Sequence, residues 1–147
     1  MLNCVLSCII AIECVIKQGG LVIDSGDEIY NEYLHNLCLS GQKGIGNAFM
    51  KWVHDNRWRL PDSDRVTISK NGDSYKEFPD HEGLVNFDIS DRKFVAVANA
   101  HPKKPPILQS TDCKWWGWKN ALEDVGITVC FLCPEYVKDK YKKKIGL

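Results

Sequence analysis

Short apolar runs of strand type alternate along this chain with longer amphipathic segments of helical type. The strand candidates are residues 21–23, 66–68, 106–109 and 127–132, and the helical candidates are residues 2–18, 27–39, 47–58, 91–100 and 114–123. Alternation of this kind is typical of parallel sheets whose two faces are covered by helices. The sequence therefore predicts an α/β fold of three layers, α/β/α, with a parallel central sheet, and 147 residues are enough for one such domain.

The first helical candidate is the most apolar part of the chain. It lacks a basic leader, carries Glu13 and Lys17, and is shorter than the roughly 20 apolar residues that a membrane span needs. We therefore expect no membrane association and predict a buried helix over residues 2–18, ended by Gly19 and Gly20. The side chains expected to face the core are Leu2, Leu6, Ile9, Ile10 and Ile16.

The charge of the chain is balanced overall but unevenly distributed. Nineteen Lys and Arg residues stand against 19 Asp and Glu residues, which excludes a generic polyanion-coating protein. Residues 138–147 hold five Lys and one Asp, a net charge of +4, so the remainder carries −4. We predict one domain over residues 1–137, followed by a lysine-rich C-terminal tail over residues 138–147.

Seven cysteines are scattered along the chain without the spacing of a disulfide framework. An odd number of cysteines inside apolar runs is typical of a reduced protein, so we predict free thiols and a cytoplasmic location. Cys130 and Cys133 are the only close pair with metal-like spacing, but a strand sends positions three apart to opposite faces. We do not expect a zinc site there.

Acidic residues fall where the predicted strands end or the next helices begin. Asp112 follows the strand candidate 106–109, Asp88 and Asp91 precede the helix 91–100, and Glu32 lies in the helix after the strand 21–23. Each one alone is well explained as a helix cap. Several carboxylates at one edge of a parallel sheet repel one another, however, and oxygen ligands without His or Cys suit Mg²⁺ or Mn²⁺.

The order of these segments resembles a PIN-type nuclease domain. It runs G-x-L-V-I-D, then I-x-x-E-Y on a helix, then D-x-x-D-R-K-F-V-A-V-A, then I-L-Q-S-T-D before a helix, over roughly residues 4–133. The resemblance implies a fold whose strand ends gather three or four acids around Mg²⁺ or Mn²⁺ to cleave RNA, as in many prokaryotic toxins. By position it implies that Glu32, Asp91 and Asp112 are the catalytic and metal-binding acids, with Asp88 as an auxiliary.

The same resemblance implies partners for the domain. These are single-stranded or structured RNA, an antitoxin protein and a second copy of the chain, with Lys43, Arg92 and Lys114 as the RNA-binding residues. Three tryptophans follow Asp112, at positions 115, 116 and 118. We expect two of them to pack the helix onto the sheet and the one that faces the cleft to be available for stacking on an unpaired base.

The front of the chain departs from the family pattern. PIN-type domains begin with a strand that ends in Asp ahead of the first helix, and no such strand precedes residues 2–18. Its loss predicts unpaired backbone groups and an open apolar slot in the sheet, unless another segment or subunit fills it. We expect weakened or absent activity from the chain as written, and both a truncated start and a natural variant remain open.

Two function classes follow from the sequence. The first is a metal-dependent endoribonuclease of PIN-like toxin or defence type, and the alternative is a catalytically inactive PIN-like module that binds RNA or a protein. A flavodoxin-like receiver needs a phosphoacceptor Asp with a partner Lys at strand ends, which none of the predicted strands provides. Mn²⁺ binding that depends on Asp91 and Asp112 separates the first two classes.

Overall fold

A computed structural model describes residues 2–37, 39 and 44–146 of the chain. The helices are α1 (Leu2–Gln18), α2 (Glu28–Asn36), α3 (Ile45–Asn56), α4 (Arg92–Ala100), α5 (Lys114–Asp124) and α6 (Pro134–Lys144). The strands are β1 (Ile23–Asp24), β2 (Arg65–Val66), β3 (Lys70–Asn71), β4 (Ser74–Tyr75), β5 (Ile107–Gln109) and β6 (Val129–Phe131). Turns of 3₁₀ helix lie at Asp62–Asp64, Glu82–Leu84 and Ile89–Asp91.

Within the described residues the strands form three separate two-stranded sheets. β1 runs parallel to β2 with Ile23 opposite Arg65, and β5 runs parallel to β6 with Leu108 opposite Cys130. β3 and β4 form an antiparallel hairpin. The protein is therefore a mixed helix and strand fold with small parallel sheets, and in the described part of the chain the two parallel pairs do not join into one central sheet.

Helix α4 connects the two parallel pairs through the core. Its four consecutive residues Val95, Ala96, Val97 and Ala98 are all buried, so this part of the helix contacts the core on more than one face. Val95 and Ala98 belong to the core cluster on the β5–β6 side, and Val97 to the cluster on the β1–β2 side. The start of α4 is thereby fixed between the two sheets.

Helix α1 has the predicted bounds but not the predicted burial. Gly19 and Gly20 end it with φ values of 72° and 82°, a conformation that favours glycine. The expectation that its apolar side chains face the core is wrong for Leu2, Leu6 and Ile10, which are 72%, 47% and 65% exposed. The physical reason is that α1 lies on the outside of the described fold and packs chiefly against α3.

Two further segments form elements that are not among the strand and helix candidates. Residues 70–83, for which neither a strand nor a helix is predicted, contain the β3–β4 hairpin, whose turn places Gly72 at a φ of 62°. The prediction missed it because its two strands, Lys-Asn and Ser-Tyr, are mostly polar and contain no apolar run. At the other end, residues 138–144 of the predicted lysine-rich tail continue helix α6, where Val137 is fully buried.

The prediction that all cysteines are free is wrong for one pair. Cys4 on α1 and Cys133 at the start of α6 form a disulfide, with a Cα–Cα distance of 5.1 Å and a sequence separation of 129. Tertiary packing brings these positions together, so their spacing in the sequence carried no signal. Cys130 is exposed and Cys133 buried, in agreement with the prediction that they face opposite ways. Among the described residues, no helix is both long enough and apolar enough to cross a membrane.

Candidate metal site

Three aspartates come together where helices α4 and α5 begin. Asp88 precedes the 3₁₀ turn Ile89–Asp91, Asp91 ends that turn at the start of α4, and Asp112 lies between β5 and α5. One carboxylate oxygen from each lies within 4.8 Å of the other two, and all three residues are half-buried. The structure thus brings together three of the four acids selected from the sequence.

Asp91 is the aspartate of this cluster whose carboxyl feels the charges of the other acids. Burial raises the pKa of its carboxyl above the usual value, and the negative charges of Asp112, Asp88 and Glu32 raise it further. Trp115 acts in the opposite direction, because its Nε1–H donates to Asp91 Oδ2 at 3.3 Å. Ionised Asp91 is therefore held in an environment that disfavours its charge, which is the situation that a bound cation relieves.

Trp115 is the side chain that fixes the position of Asp91. It is only 2% exposed and packs edge-to-face on Phe87 with the ring centroids 5.0 Å apart. A buried Trp needs a partner for its N–H, and here that partner is the Asp91 carboxylate. The sequence placed Trp115 near the site but did not reveal this hydrogen bond.

Lys114 joins the other two aspartates. Its backbone N–H donates to Asp112 Oδ1 at 3.0 Å, and its Nζ donates to Asp88 Oδ2 at 2.8 Å. The contact with Asp88 is the main reason that the pKa of Lys114 is raised. This predicted RNA-binding residue therefore lies at the edge of the cluster and offsets part of its negative charge.

Glu32 lies outside the three-aspartate cluster. Its Oε2 accepts a hydrogen bond from Lys93 Nζ at 2.7 Å, and this bond is the main cause of the lowered pKa of Glu32. Lys93 follows Asp91 by two residues on α4, so it takes up the carboxylate that the family pattern assigns to the metal. Glu32 is near enough for its charge to raise the pKa of Asp91. Sequence reasoning did not identify Lys93 as its partner.

The other predicted RNA-binding residues have different environments. Arg92 uses its guanidinium to hold the preceding loop, donating to the carbonyls of Phe87 at 3.2 Å and Val85 at 3.0 Å. These bonds leave it less available for a phosphate than the sequence suggested. Lys43 lies outside the described residues.

Two of the three tryptophans pack inside the fold, as expected. Trp115 is buried, and Trp118 lies 4.4 Å from Phe87 between ring centroids. Trp116 is half-buried, packs on Phe131 at 5.2 Å and carries Lys119 Nζ 4.2 Å above its ring. It is the tryptophan of the three with both an accessible ring and an adjacent cation.

A second cluster is formed by cysteines. The sulfur atoms of Cys4, Cys8 and Cys133 lie within 4.8 Å of one another, and Cys8 Sγ is 3.1 Å from Ser110 Oγ. The spacing of four residues that places Cys4 and Cys8 on one face of α1 was a usable signal, but the third member comes from the far end of the chain. The Cys4–Cys133 disulfide occupies two of the three sulfurs.

The donors of the aspartate cluster match a hard cation. All three ligand atoms are carboxylate oxygens, the type that Mg²⁺ and Mn²⁺ prefer, and no soft thiolate lies in the group. In comparisons with known proteins, the chain matches no family model, no curated protein and no solved structure.

Proposed function

We propose that this protein is a Mg²⁺- or Mn²⁺-dependent phosphodiester hydrolase of the PIN-like α/β/α type, acting on RNA. The observation that carries the proposal is the convergence of Asp88, Asp91 and Asp112 on one point. The sequence order that resembles a PIN-type domain supplies the substrate class.

Helix capping accounts for only part of this cluster. Asp112 accepts the Lys114 backbone N–H, as a cap does. Asp88 and Asp91 occupy cap positions, yet their side chains make no capping hydrogen bond. Asp24 is a contrasting case, because its two carboxylate oxygens accept the N–H groups of Glu28 and Ile29 at 2.9 Å each. These two carboxylates are therefore not committed to the helix ends, and their contacts are instead with Lys114 Nζ at Asp88 Oδ2 and with the Trp115 N–H at Asp91 Oδ2.

The protein residues have distinct tasks in the proposed reaction. Asp88, Asp91 and Asp112 would hold the cation, and the Trp115 N–H orients Asp91 toward it. The cation, when bound, supplies an activated water and charge stabilisation at the scissile phosphate. Lys114, whose Nζ lies 2.8 Å from Asp88 Oδ2 at the edge of the cluster, would contact a phosphate next to the scissile one.

One observation favours the second candidate, an inactive PIN-like module that binds RNA or a protein. Lys93 neutralises Glu32, which leaves the three aspartates as the acids of the site. A module of this kind would retain the accessible ring of Trp116 and the cation of Lys119 for contact with RNA.

Mn²⁺ titration followed by an RNA cleavage assay tests the proposal. We expect saturable Mn²⁺ binding that falls at least 10-fold in Asp91→Asn and in Asp112→Asn, because each variant removes one anionic ligand while retaining an acceptor oxygen. Asp73→Asn is the matched control, an exposed acid in the β3–β4 turn. Metal binding without cleavage of any RNA supports the inactive module, and unchanged Mn²⁺ binding in both site variants contradicts the metal site itself.

A further inference from the structure

A cavity of about 510 Å³ lies between the two parallel sheets, and we call it the slot. Helix α1 lines one side of the slot and helix α4 the other, while residues 20–22 and 105–110 line its two edges. Native cores contain few voids larger than one water molecule, whose share of liquid volume is about 30 Å³. A mostly apolar space many times that size is large enough to receive another structural element.

The β5 edge of the slot presents backbone groups that are not used in pairing with β6. The Ile107 N–H donates to Thr128 O at 2.9 Å, and Gln109 O accepts from Leu132 N–H at 2.9 Å. Alternate residues of a strand direct their backbone groups to opposite sides, so Leu108 directs its N–H and C=O away from β6. Leu108 also lines the slot.

The opposite edge of the slot is formed by residues 20–22, which directly precede β1. The Ser25 N–H donates to Val66 O at 2.8 Å, so the backbone groups of residues 23 and 25 face β2. Val22, one residue out of phase, directs its N–H and C=O to the other side, and it lines the slot. Two strand edges with backbone groups to satisfy therefore border one apolar space, which is the arrangement that recruits a further strand.

The size and lining of the slot specify the occupant. Residues 105–110 line one edge of the slot, and at about 3.3 Å per residue they span roughly 20 Å, the length of a common strand. On the slot side of this edge Pro106 has no N–H and the Ser110 N–H is bonded to Gln109 Oε1, so Leu108 is the residue that offers both backbone groups. Apolar residues of α1 (Ala11, Ile12) and of α4 (Val97, Ala98) cover its two faces. A strand buried on both faces is apolar along its whole length rather than alternating. A helix satisfies its own backbone groups and would leave those of both edges unpaired.

We propose that the slot is a docking site for an apolar β-strand of a partner polypeptide. The partner segment has five or six consecutive β-branched or aliphatic residues without charge or proline. It pairs with the edges of β1 and β5 and joins the two small sheets into one. Recognition is by strand addition, with main-chain hydrogen bonds on both sides and apolar contacts with α1 and α4. The proposal does not depend on metal binding.

Binding of a capped peptide to the intact chain tests this inference. The probe is acetyl-Lys-Lys-Val-Ile-Val-Val-Ile-amide, and its control has proline at the central valine, which removes a backbone donor and restricts φ. We expect the first peptide to bind at least 10-fold more tightly. At saturation, amide exchange of Leu108 slows at least 10-fold, whereas that of Ile107, already bonded to Thr128, changes little.

A variant that fills the slot provides the second test. Ala11→Trp places an indole in the slot and should reduce peptide affinity at least 10-fold. Ile10→Trp, on the same helix at a position that is 65% exposed, should leave the affinity unchanged. If Ala11→Trp does not fold, the amide exchange rate of Leu108 in the unmodified chain, with and without the peptide, is the deciding measurement.

Several results would overturn the inference. They are equal binding of the proline peptide, unchanged exchange of Leu108, and full affinity in folded Ala11→Trp. The inference would also be overturned if the chain forms a dimer in which the Leu108 amide is already protected and which the peptide does not dissociate. That result would assign the slot to a second copy of the chain.

Discussion

Replacing Asp91 by Asn should make the metal-free protein more stable while weakening its binding of Mn²⁺. The carboxylate oxygens of the three aspartates lie within 4.8 Å of one another. At that separation and an effective dielectric constant near 20, one like-charge pair costs about 3.5 kcal/mol. The residues are half-buried and Lys114 offsets part of the charge, so we reduce the expected net gain in the free energy of unfolding to about 1 kcal/mol. Asn retains an oxygen that accepts the Trp115 N–H.

The pH dependence of this gain has a definite sign. The pKa of Asp91 in the folded protein is raised above its ordinary value of 3.8. Below pH 3.8 the carboxyl is protonated in both the folded and the unfolded protein, so it costs no stability. As the pH rises through the raised pKa, ionisation of Asp91 in the folded protein lowers the free energy of unfolding. Asn does not titrate, so the two proteins should have similar stability near pH 3.8 or below and differ most at pH 7.

Urea unfolding at pH 7.5, with and without Mn²⁺, measures both effects. A gain of about 1 kcal/mol moves the midpoint by about 0.5 M if the slope is near 2 kcal/mol/M. Mn²⁺ at 100 times its dissociation constant should stabilise the unmodified protein by about 2.7 kcal/mol and the variant by clearly less. An Asp91→Asn protein that is less stable than the original without metal, or that gains equally from Mn²⁺, would refute this account of the cluster.

Three further changes should have measurable effects. Cys4→Ser removes the disulfide to Cys133 and should lower the free energy of unfolding by about 2–4 kcal/mol in oxidising buffer but by little in excess dithiothreitol, since the bond closes a loop of separation 129. Glu32→Gln leaves Lys93 without its anionic partner and should cost about 1–3 kcal/mol at pH 7. The stability lost in Glu32→Gln should become smaller as the pH falls below 4.5 and then through the lowered pKa of Glu32, because the carboxyl of the unmodified protein then loses its charge. Urea melts that show the same loss at every pH from 2 to 7 would argue against the ion pair. Leu122→Ala empties a fully buried core position and should cost about 2–5 kcal/mol, and a thermal melt that hardly changes would contradict the packing described for this core.

Helix positions were predictable from the sequence because their signals are local. The glycines after residue 18 ended α1 as predicted, and the apolar pattern after Asp91 gave helix α4 to within one residue. Local pattern does not say which neighbours a helix will have, however. Leu2, Leu6 and Ile10 have the spacing of a core face, yet the fold leaves them exposed.

The candidate site was predictable in part for the same reason. Acids at the ends of strands and the starts of helices are visible in the sequence, and the fold does bring Asp88, Asp91 and Asp112 together. The diversion of Glu32 to Lys93 was not visible, because the two residues are 61 positions apart. Long-range pairing of this kind depends on how α2 and α4 pack.

The sequence by itself indicated helices α1 to α5, the parallel direction of the strand pairs β1–β2 and β5–β6, and the acids at the starts of α4 and α5, since these follow from periodicity and from neighbouring residues. The tertiary structure decided which carboxylates meet, that Cys4 reaches Cys133, and that an apolar slot of about 510 Å³ lies between residues 20–22 and β5. Each of these depends on the relative positions of elements far apart in the chain. Those positions are set by the summed packing of many side chains around α4, which no short stretch of sequence encodes.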